Sequence, residues 1–352
     1  MPRYEPWSAA LSRAVRELYP GYFAMVMATG IVSVAAGGFH LAGISAFLLG
    51  WAAVSYVVLF LLLAARALRF PANLAADLGD AAKNPGFLTF VAGTDVLGSR
   101  LALAGQPAWS AGLLALGLLA WIALVYYLFA VDTFRNTRSP GEVISGTWLL
   151  LTVATQSVAV LATLLAPRYA GWAGPMLFGA WCFWGVGVFL YAVVIGFIIY
   201  RFFFYPVDPR DVTPPYWINM GAVAISVLAG DHLALAAPGN PLLAELRPFL
   251  LGLTVLLWAW GTWWIPLLVI MGAWRHLVRR VPLTYHPAFW GMVFPLGMYS
   301  AATAGLGRVL HLPFLVVFAG EFLWVALAAW TATAVGFLWS NLRSLYLPRL
   351  PS

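Results

Sequence analysis

Long apolar runs separated by short polar or Pro/Gly breaks make up most of this chain. Ten of them are read as bilayer-crossing helices, at about residues 20–38, 43–68, 86–106, 109–132, 143–166, 172–205, 214–235, 244–278, 285–307 and 313–341. A span needs about 20 apolar residues to cross roughly 30 Å of hydrocarbon. Continuous runs of this length fit helices rather than the alternating strands of a barrel, which are about ten residues long. The pattern therefore predicts an all-α polytopic membrane protein. Ahead of the first run, Trp7, Leu11, Val15 and Leu18 recur at helical spacing after Ser8, a favoured N-cap type, which predicts a short helix on the membrane surface. Arg13, Arg16 and Glu17 interrupt any signal-peptide core there. The whole of 1–352 is thus expected to be one transmembrane domain: an interfacial segment 1–19, a ten-helix body 20–341 and a cytoplasmic tail 342–352.

Charge placement orients the spans. Fifteen of the 19 Lys and Arg fall on one side, from Arg3 through Arg66, Arg135, Arg201 and Arg275 to Arg349, against Arg100, Arg168, Arg247 and Arg308 on the other. By the positive-inside rule both termini are cytoplasmic, in the inner or plasma membrane of the cell, and odd-numbered spans run outward. The outer connections, such as 38–43 and 106–109, are very short, so each outgoing helix forms a hairpin with the next.

The five outgoing helices share a motif. Each opens on an aromatic with a small or hydroxyl residue seven positions on: Phe23 and Gly30, Phe87 and Thr94, Trp148 and Thr155, Trp217 and Ala224, Trp290 and Gly297. Successive openings are 64, 61, 69 and 73 residues apart, one hairpin per period, and Pro or Gly stands near the start of all five. The return helices show no such motif. Seven residues is close to two turns, so each pair lies on one helix face. Close packing of hairpins would explain any single pair. Five copies favour five equivalent helices around a central pore, with the return helices outside. Four residues after each opening aromatic come Met27, Val91, Thr152, Gly221 and Phe294, and only Phe294 puts a large ring in that layer. It lies roughly 15 Å into its span, near the bilayer centre. Pro295 follows it and is expected to kink the helix. A ring in a lumen of smaller side chains acts as a hydrophobic gate; interhelix packing is the plainer alternative.

The stretch Pro20-Gly-Tyr-Phe-Ala-Met-Val-Met-Ala-Thr-Gly30-Ile-Val-Ser33 and the stretch Trp290-Gly-Met-Val-Phe294-Pro295-Leu-Gly297 resemble the tellurite-resistance/dicarboxylate transporter family. That family includes bacterial TehA-type proteins, plant guard-cell slow anion channels, and fungal malate and sulfite transporters. The resemblance spans nearly the whole chain. It implies a homotrimer in which each protomer has its own five-helix pore, and a phenylalanine on the ninth helix that occludes it, matched here by Phe294. Relatives often carry mid-helix prolines on several inner helices. This chain keeps only Pro295, with Gly30, Gly93 and Gly221 at comparable depths.

Composition closes off other classes. The chain is 63% hydrophobic and 9% charged, with mean hydropathy +0.88, which no soluble fold of this size can hide. A single cysteine, Cys182, excludes an internal disulfide or a thiolate metal cluster. No metalloprotease, CxxC or phosphate-loop motif is present, so neither enzyme chemistry, nor a metal, nor a cofactor is expected. The Arg275, His276, Arg279 and Arg280 cluster fits topology and anionic lipid contact better than nucleic acid.

Ionisable residues at membrane depth are the remaining candidates, because each costs about 2.5–3.5 kcal/mol on insertion scales. Arg100 and Arg308, near the outer end, either form a cationic mouth that concentrates anions, or snorkel to the interface or pair with Asp231 or Asp95. Asp95 either carries a proton or makes a structural hydrogen bond to a neighbouring hairpin. Glu321, on an outer helix, suits a contact between helices or subunits. His40, His232 and His311 sit near outer ends. The expected function is passage of small anions through a pore lined by Gly30, Thr94, Thr152, Thr155, Gly221, Ala224 and Gly297. A proton-coupled C4-dicarboxylate or sulfite carrier is the alternative, and a membrane-embedded enzyme or scaffold the remote one.

Overall fold

The computed structural model describes residues 7–135 and 137–346, and is helical throughout with no strand among them. Arg3 and Arg349 lie outside the described residues. The first helix, α1 (Trp7–Arg16), packs on α3 (Ala42–Arg69) and buries Val15 while Leu11 stays exposed. Ser8 is itself helical, so it is not the cap residue the spacing suggests.

Five antiparallel pairs follow. They are α2 (Ala24–Gly38) with α3, α5 (Leu88–Leu103) with α6 (Pro107–Arg135), α8 (Leu150–Leu165) with α9 (Ala173–Phe204), α10 (Ile218–Ala236) with α11 (Pro241–Ala273), and α12 (Trp290–Val309) with α13 (Pro313–Tyr346). The helices α2, α5, α8, α10 and α12 touch one another in that order, and α12 returns to α2, which closes a ring. Burial separates two layers. The stretches carrying α2, α8 and α10 are 78–94% buried along their most apolar windows, against 22–33% for α3, α6, α9, α11 and α13.

Eight described helices are long and apolar enough to cross a membrane. The stretches of α5 and α12 are not among them. Both lie in the inner ring, where α5 carries Asp95 and Arg100, and α12 carries four glycines and Arg308. Helices shielded by protein tolerate polar and small residues that lipid-facing ones do not. The last helix, α13, continues to Tyr346, past the expected end of the tenth span. Two short helices that the apolar runs do not announce, α4 (Pro71–Leu78) and α7 (Pro140–Val143), sit in the connections.

Each inner helix is preceded by a short 3-10 turn: Pro20–Phe23, Asn84–Phe87, Gly146–Leu149, Pro214–Trp217 and Pro287–Phe289. These five turns also touch in a closed ring. Glycine makes the approach possible: a Cβ on Gly86 would stand 3.2 Å from the Gly21 nitrogen, and one on Gly146 would overlap the Pro215 carbonyl. At the other end, three of the hairpin turns close identically. His40, Gly105 and His311 adopt φ of 61°, 78° and 58°. The following amide then returns to the helix in each, Leu41 to Ala36, Gln106 to Leu101 and Leu312 to Gly307, at 2.8–2.9 Å. This is the left-handed cap that ends many helices. It places His40 and His311 in turns rather than in the ring.

Candidate functional site

The ring encloses a cavity of about 30 Å3, room for about two water molecules. All five inner helices contribute to its wall. Ile31 and Val34 come from α2; Val96, Ser99 and Leu103 from α5; Ser157, Val160 and Leu164 from α8; Ile225, Leu228 and His232 from α10; and Met298 from α12. These residues fall eight or nine, eleven or twelve, and fifteen or sixteen positions after each opening aromatic. They form a single stripe per helix, at the i, i+3, i+7 spacing of one face. Only Ser99, Ser157 and His232 are polar.

Phe294 is one helical turn from Met298, on the side of the cavity toward the 3-10 turns, and is fully buried. Met27, Val91 and Thr152, the equivalent residues on α2, α5 and α8, are also fully buried. The Thr152 hydroxyl has no hydrogen-bond partner. Pro295 lies inside α12 and withholds the amide that the Gly291 carbonyl would otherwise accept. Its ring nests against α10, where a Cβ on Gly221 would be 2.8 Å from Pro295 Cγ.

The layer seven residues after each opening aromatic has a different use from the one the motif suggests. A Cβ on Gly30 would meet Val96 Cγ1 at 2.8 Å, and one on Gly297 would meet Val32 Cγ2 at 2.8 Å. These glycines, with Gly221, let neighbouring inner helices close on each other. Ala224 is buried in the same layer. Thr94 and Thr155 turn their hydroxyls outward. Thr94 bonds the Tyr56 hydroxyl on α3 at 3.0 Å, and Thr155 accepts from Trp121 Nε1 on α6 at 2.9 Å. The physical reason is phase: one residue is 100° of helix rotation, and the cavity-facing stripe begins one or two positions later.

Those two bonds belong to a set of five. The outer helix of every pair sends one aromatic donor or hydroxyl to the inner helix of the next pair. Beyond Tyr56 and Trp121, Trp184 Nε1 on α9 donates to the Ser226 carbonyl on α10 at 2.9 Å. Trp258 Nε1 on α11 donates to Thr303 on α12 at 3.0 Å, and Trp330 Nε1 on α13 closes the circle at Thr29 on α2, at 2.9 Å. The return helices therefore do carry a repeat. Their aromatics are 65, 63, 74 and 72 residues apart, close to the period of the openings, and that spacing was the signal available in the sequence.

The charged residues sort by depth. Asp95 is buried between α5, α6 and α8, and its Oδ2 accepts from Ser157 Oγ at 2.8 Å. Asp231 is buried with neither oxygen bonded, against Gly305 of α12. Arg100 donates to Ser33 Oγ and Ser45 Oγ, both at 2.9 Å; Arg308 donates to the Gly38 carbonyl at 2.9 Å. Neither forms an ion pair with Asp95 or Asp231 among the described residues. Glu321 is exposed on α13 beside exposed Phe314, Val317 and Phe318. Arg275, from the basic cluster, is occupied in part by the Pro209 carbonyl at 3.0 Å, and Arg279 lies over the Trp274 ring at 5.7 Å.

Residues 17–338 fit the model of the SLAC1 family, described as voltage-dependent anion channel. The chain belongs to this family. An uncharacterised membrane protein of Mycobacterium tuberculosis is 47% identical over 152 residues, 43% of this chain and 76% of that protein. An uncharacterised transporter of Methanocaldococcus jannaschii is 24% identical over 339 residues, covering 91% of this chain and 94% of its own length. A sulfite efflux pump of Trichophyton rubrum is 23% identical over 348 residues, 90% of this chain and 89% of the pump. As a SLAC1 family member the chain is an integral membrane protein that transports anions, and not an enzyme.

Proposed function

We propose that this SLAC1 family member is an anion channel whose ions pass through the ring of inner helices, with Phe294 as the gate. The observation that carries the reading is the cavity to which α2, α5, α8, α10 and α12 all contribute, with Phe294 fully buried one turn away. Hydroxyl and backbone dipoles with few fixed charges let an ion enter without trapping it. Thr152, whose hydroxyl is unbonded, belongs to the gate layer. Gly30, Gly221, Ala224 and Gly297 bring the helices close enough to form the wall, while Thr94 and Thr155 hold it from outside. Arg100 and Arg308, bonded to hydroxyls and a carbonyl but to no acid, supply a positive outer mouth. The termini are cytoplasmic, in the cell membrane, and the 3-10 turns mark the inner end. Copies of the chain associate, as a homotrimer, through outer helices; exposed Glu321 on the apolar face of α13 supports this, since a charge facing lipid is costly.

Chloride efflux from liposomes tests the gate. The Phe294→Ala protein is expected to release chloride far faster than wild type, and equal rates would count against the gate. A second reading, the proton-coupled carrier of sulfite or a dicarboxylate, is favoured by Asp95, buried beside the cavity wall. Flux that is electrically silent and follows a pH gradient would select it.

A further inference from the structure

Ser157 and Asp95 stand on adjacent inner helices, and their pairing bears on what an ion meets inside the ring. Ser157 on α8 lines the cavity. Its Oγ is 2.8 Å from Asp95 Oδ2 and also 2.8 Å from the Ala154 carbonyl, so a single hydroxyl proton has two acceptors. Asp95 is fully buried and is not part of the cavity wall. Its other oxygen, Oδ1, has no partner and points at α6, where any Cβ on Gly117 would collide with it. Glycine at 117 thus leaves the carboxyl its place behind the wall. The groups facing that carboxyl are few. α6 offers Gly117 and α8 offers Ser157; α3 offers the Tyr56 phenol, already bonded to Thr94. Arg100, five residues along α5, is held at Ser33 and Ser45. His232 of α10 is the other titratable group on the cavity.

We infer that Ser157 is the specificity-determining hydroxyl of the lumen and Asp95 its positioning residue. The protonation state of the carboxyl decides whether Ser157 turns its O–H toward a passing anion. The inference rests on the ring being the anion path. An ionised Asp95 is an acceptor only; it draws the Ser157 proton away from the lumen and places a negative charge behind the wall, and both effects repel an anion. A protonated Asp95 instead donates its own proton to Ser157 Oγ. The serine proton is then contested between the neutral Ala154 carbonyl and the lumen. An anion wins that contest, because charge-assisted hydrogen bonds are roughly twice as strong as neutral ones.

The test is chloride current in planar bilayers, in the Phe294→Ala background, from neutral to acidic pH. Current in that parent establishes the path before the pair is examined. Current is expected to rise as pH falls. Asp95→Asn, whose amide donates to Ser157 Oγ without charge, should conduct at the acid level throughout. Ser157→Ala should lose about tenfold at acid pH, the value of one hydrogen bond to a charged partner, and keep only the smaller pH response that the Asp95 charge exerts by itself. Ser157→Thr should restore the current and the parental pH response, and at acid pH Asp95→Asn should add nothing to Ser157→Ala. A pH response that survives His232→Gln assigns it away from that imidazole. The inference is overturned if the parent conducts while Asp95→Asn keeps the parental pH profile, or if Ser157→Ala conducts like the parent. Should Asp95→Asn fail to fold, the Ser157→Ala and Ser157→Thr comparison decides alone. A silent parent overturns the path itself, and this inference with it.

Discussion

At the scale of single residues, Thr155 illustrates how the ring is held. Its hydroxyl is fully buried, donates to the Leu151 carbonyl at 2.7 Å, and accepts from Trp121 Nε1. A buried indole N–H that loses its acceptor is left unsatisfied, which costs more than the bond is worth on balance. Trp121→Phe is expected to lower stability by about 1 kcal/mol, read from thermal unfolding of the purified protein. Thr155→Val should cost more, by stranding the indole, and the double variant should lose less than the sum. Additive losses would show that the two side chains do not act together. Residue types at these positions were legible in the sequence, and their directions were not. A small or hydroxyl residue seven places after an aromatic fits both a lumen and a seam. The choice depends on whether Val96, Val32 or Trp121 stands opposite, and those lie on other hairpins. Phe294 stands out in the sequence as the one large ring in its layer and as part of a family-like motif; its role as gate belongs to the proposal.

At the scale of elements, the connections at the end that carries the 3-10 turns do more than link helices. Arg66, near the end of α3, is 3% exposed at its side chain. It donates to the Leu18 carbonyl at 2.9 Å and to Asp77 of α4. Lys83 reaches the other Asp77 oxygen at 2.9 Å. Partial burial opposes ionisation of Asp77, but hydrogen bonds and charge from Lys83 and Arg66 outweigh it and hold its pKa below the ordinary 3.8. A depressed carboxyl pKa adds stability that is fully present above the ordinary value, declines below it, and is lost as pH falls through the lower folded-state value. Wild type should therefore unfold at a higher temperature than Asp77→Asn at neutral pH, and the gap should close in acid below about pH 4. A gap independent of pH would contradict this role. Arg201 is the counterpart at the end of α9, bonding the Gly141 carbonyl at 3.0 Å and the Tyr216 hydroxyl at 2.9 Å. Side counting groups such arginines on one side, but it is blind to their burial. The Pro and Gly at each inner-helix start were legible as start signals. That they build a closed ring of 3-10 turns depends on contacts between hairpins some 60 to 75 residues apart.

At the scale of the whole molecule, chain length and apolar periodicity carried the architecture. One hairpin per period, with a motif on the outgoing helices alone, implied an inner and an outer layer before any contact was known, and burial separates those layers in the structure. Periodicity could not set the rotation of each inner helix about its own axis. The inner helices are buried nearly all round, so no polar face marks the lumen, and 100° separates a wall residue from a seam residue. Ala224 and Ile225 are such a pair: adjacent, apolar and buried, yet only Ile225 lines the cavity. They allow the most direct test of the central claim, that anions pass along this stripe once Phe294 is removed. Chloride current through the Phe294→Ala protein, with exposed Cys182 replaced by serine, would be recorded before and after a charged, membrane-impermeant thiol reagent. Block at Ile225→Cys, with Ala224→Cys untouched, is the predicted result; block at Ala224→Cys with Ile225→Cys untouched would contradict it.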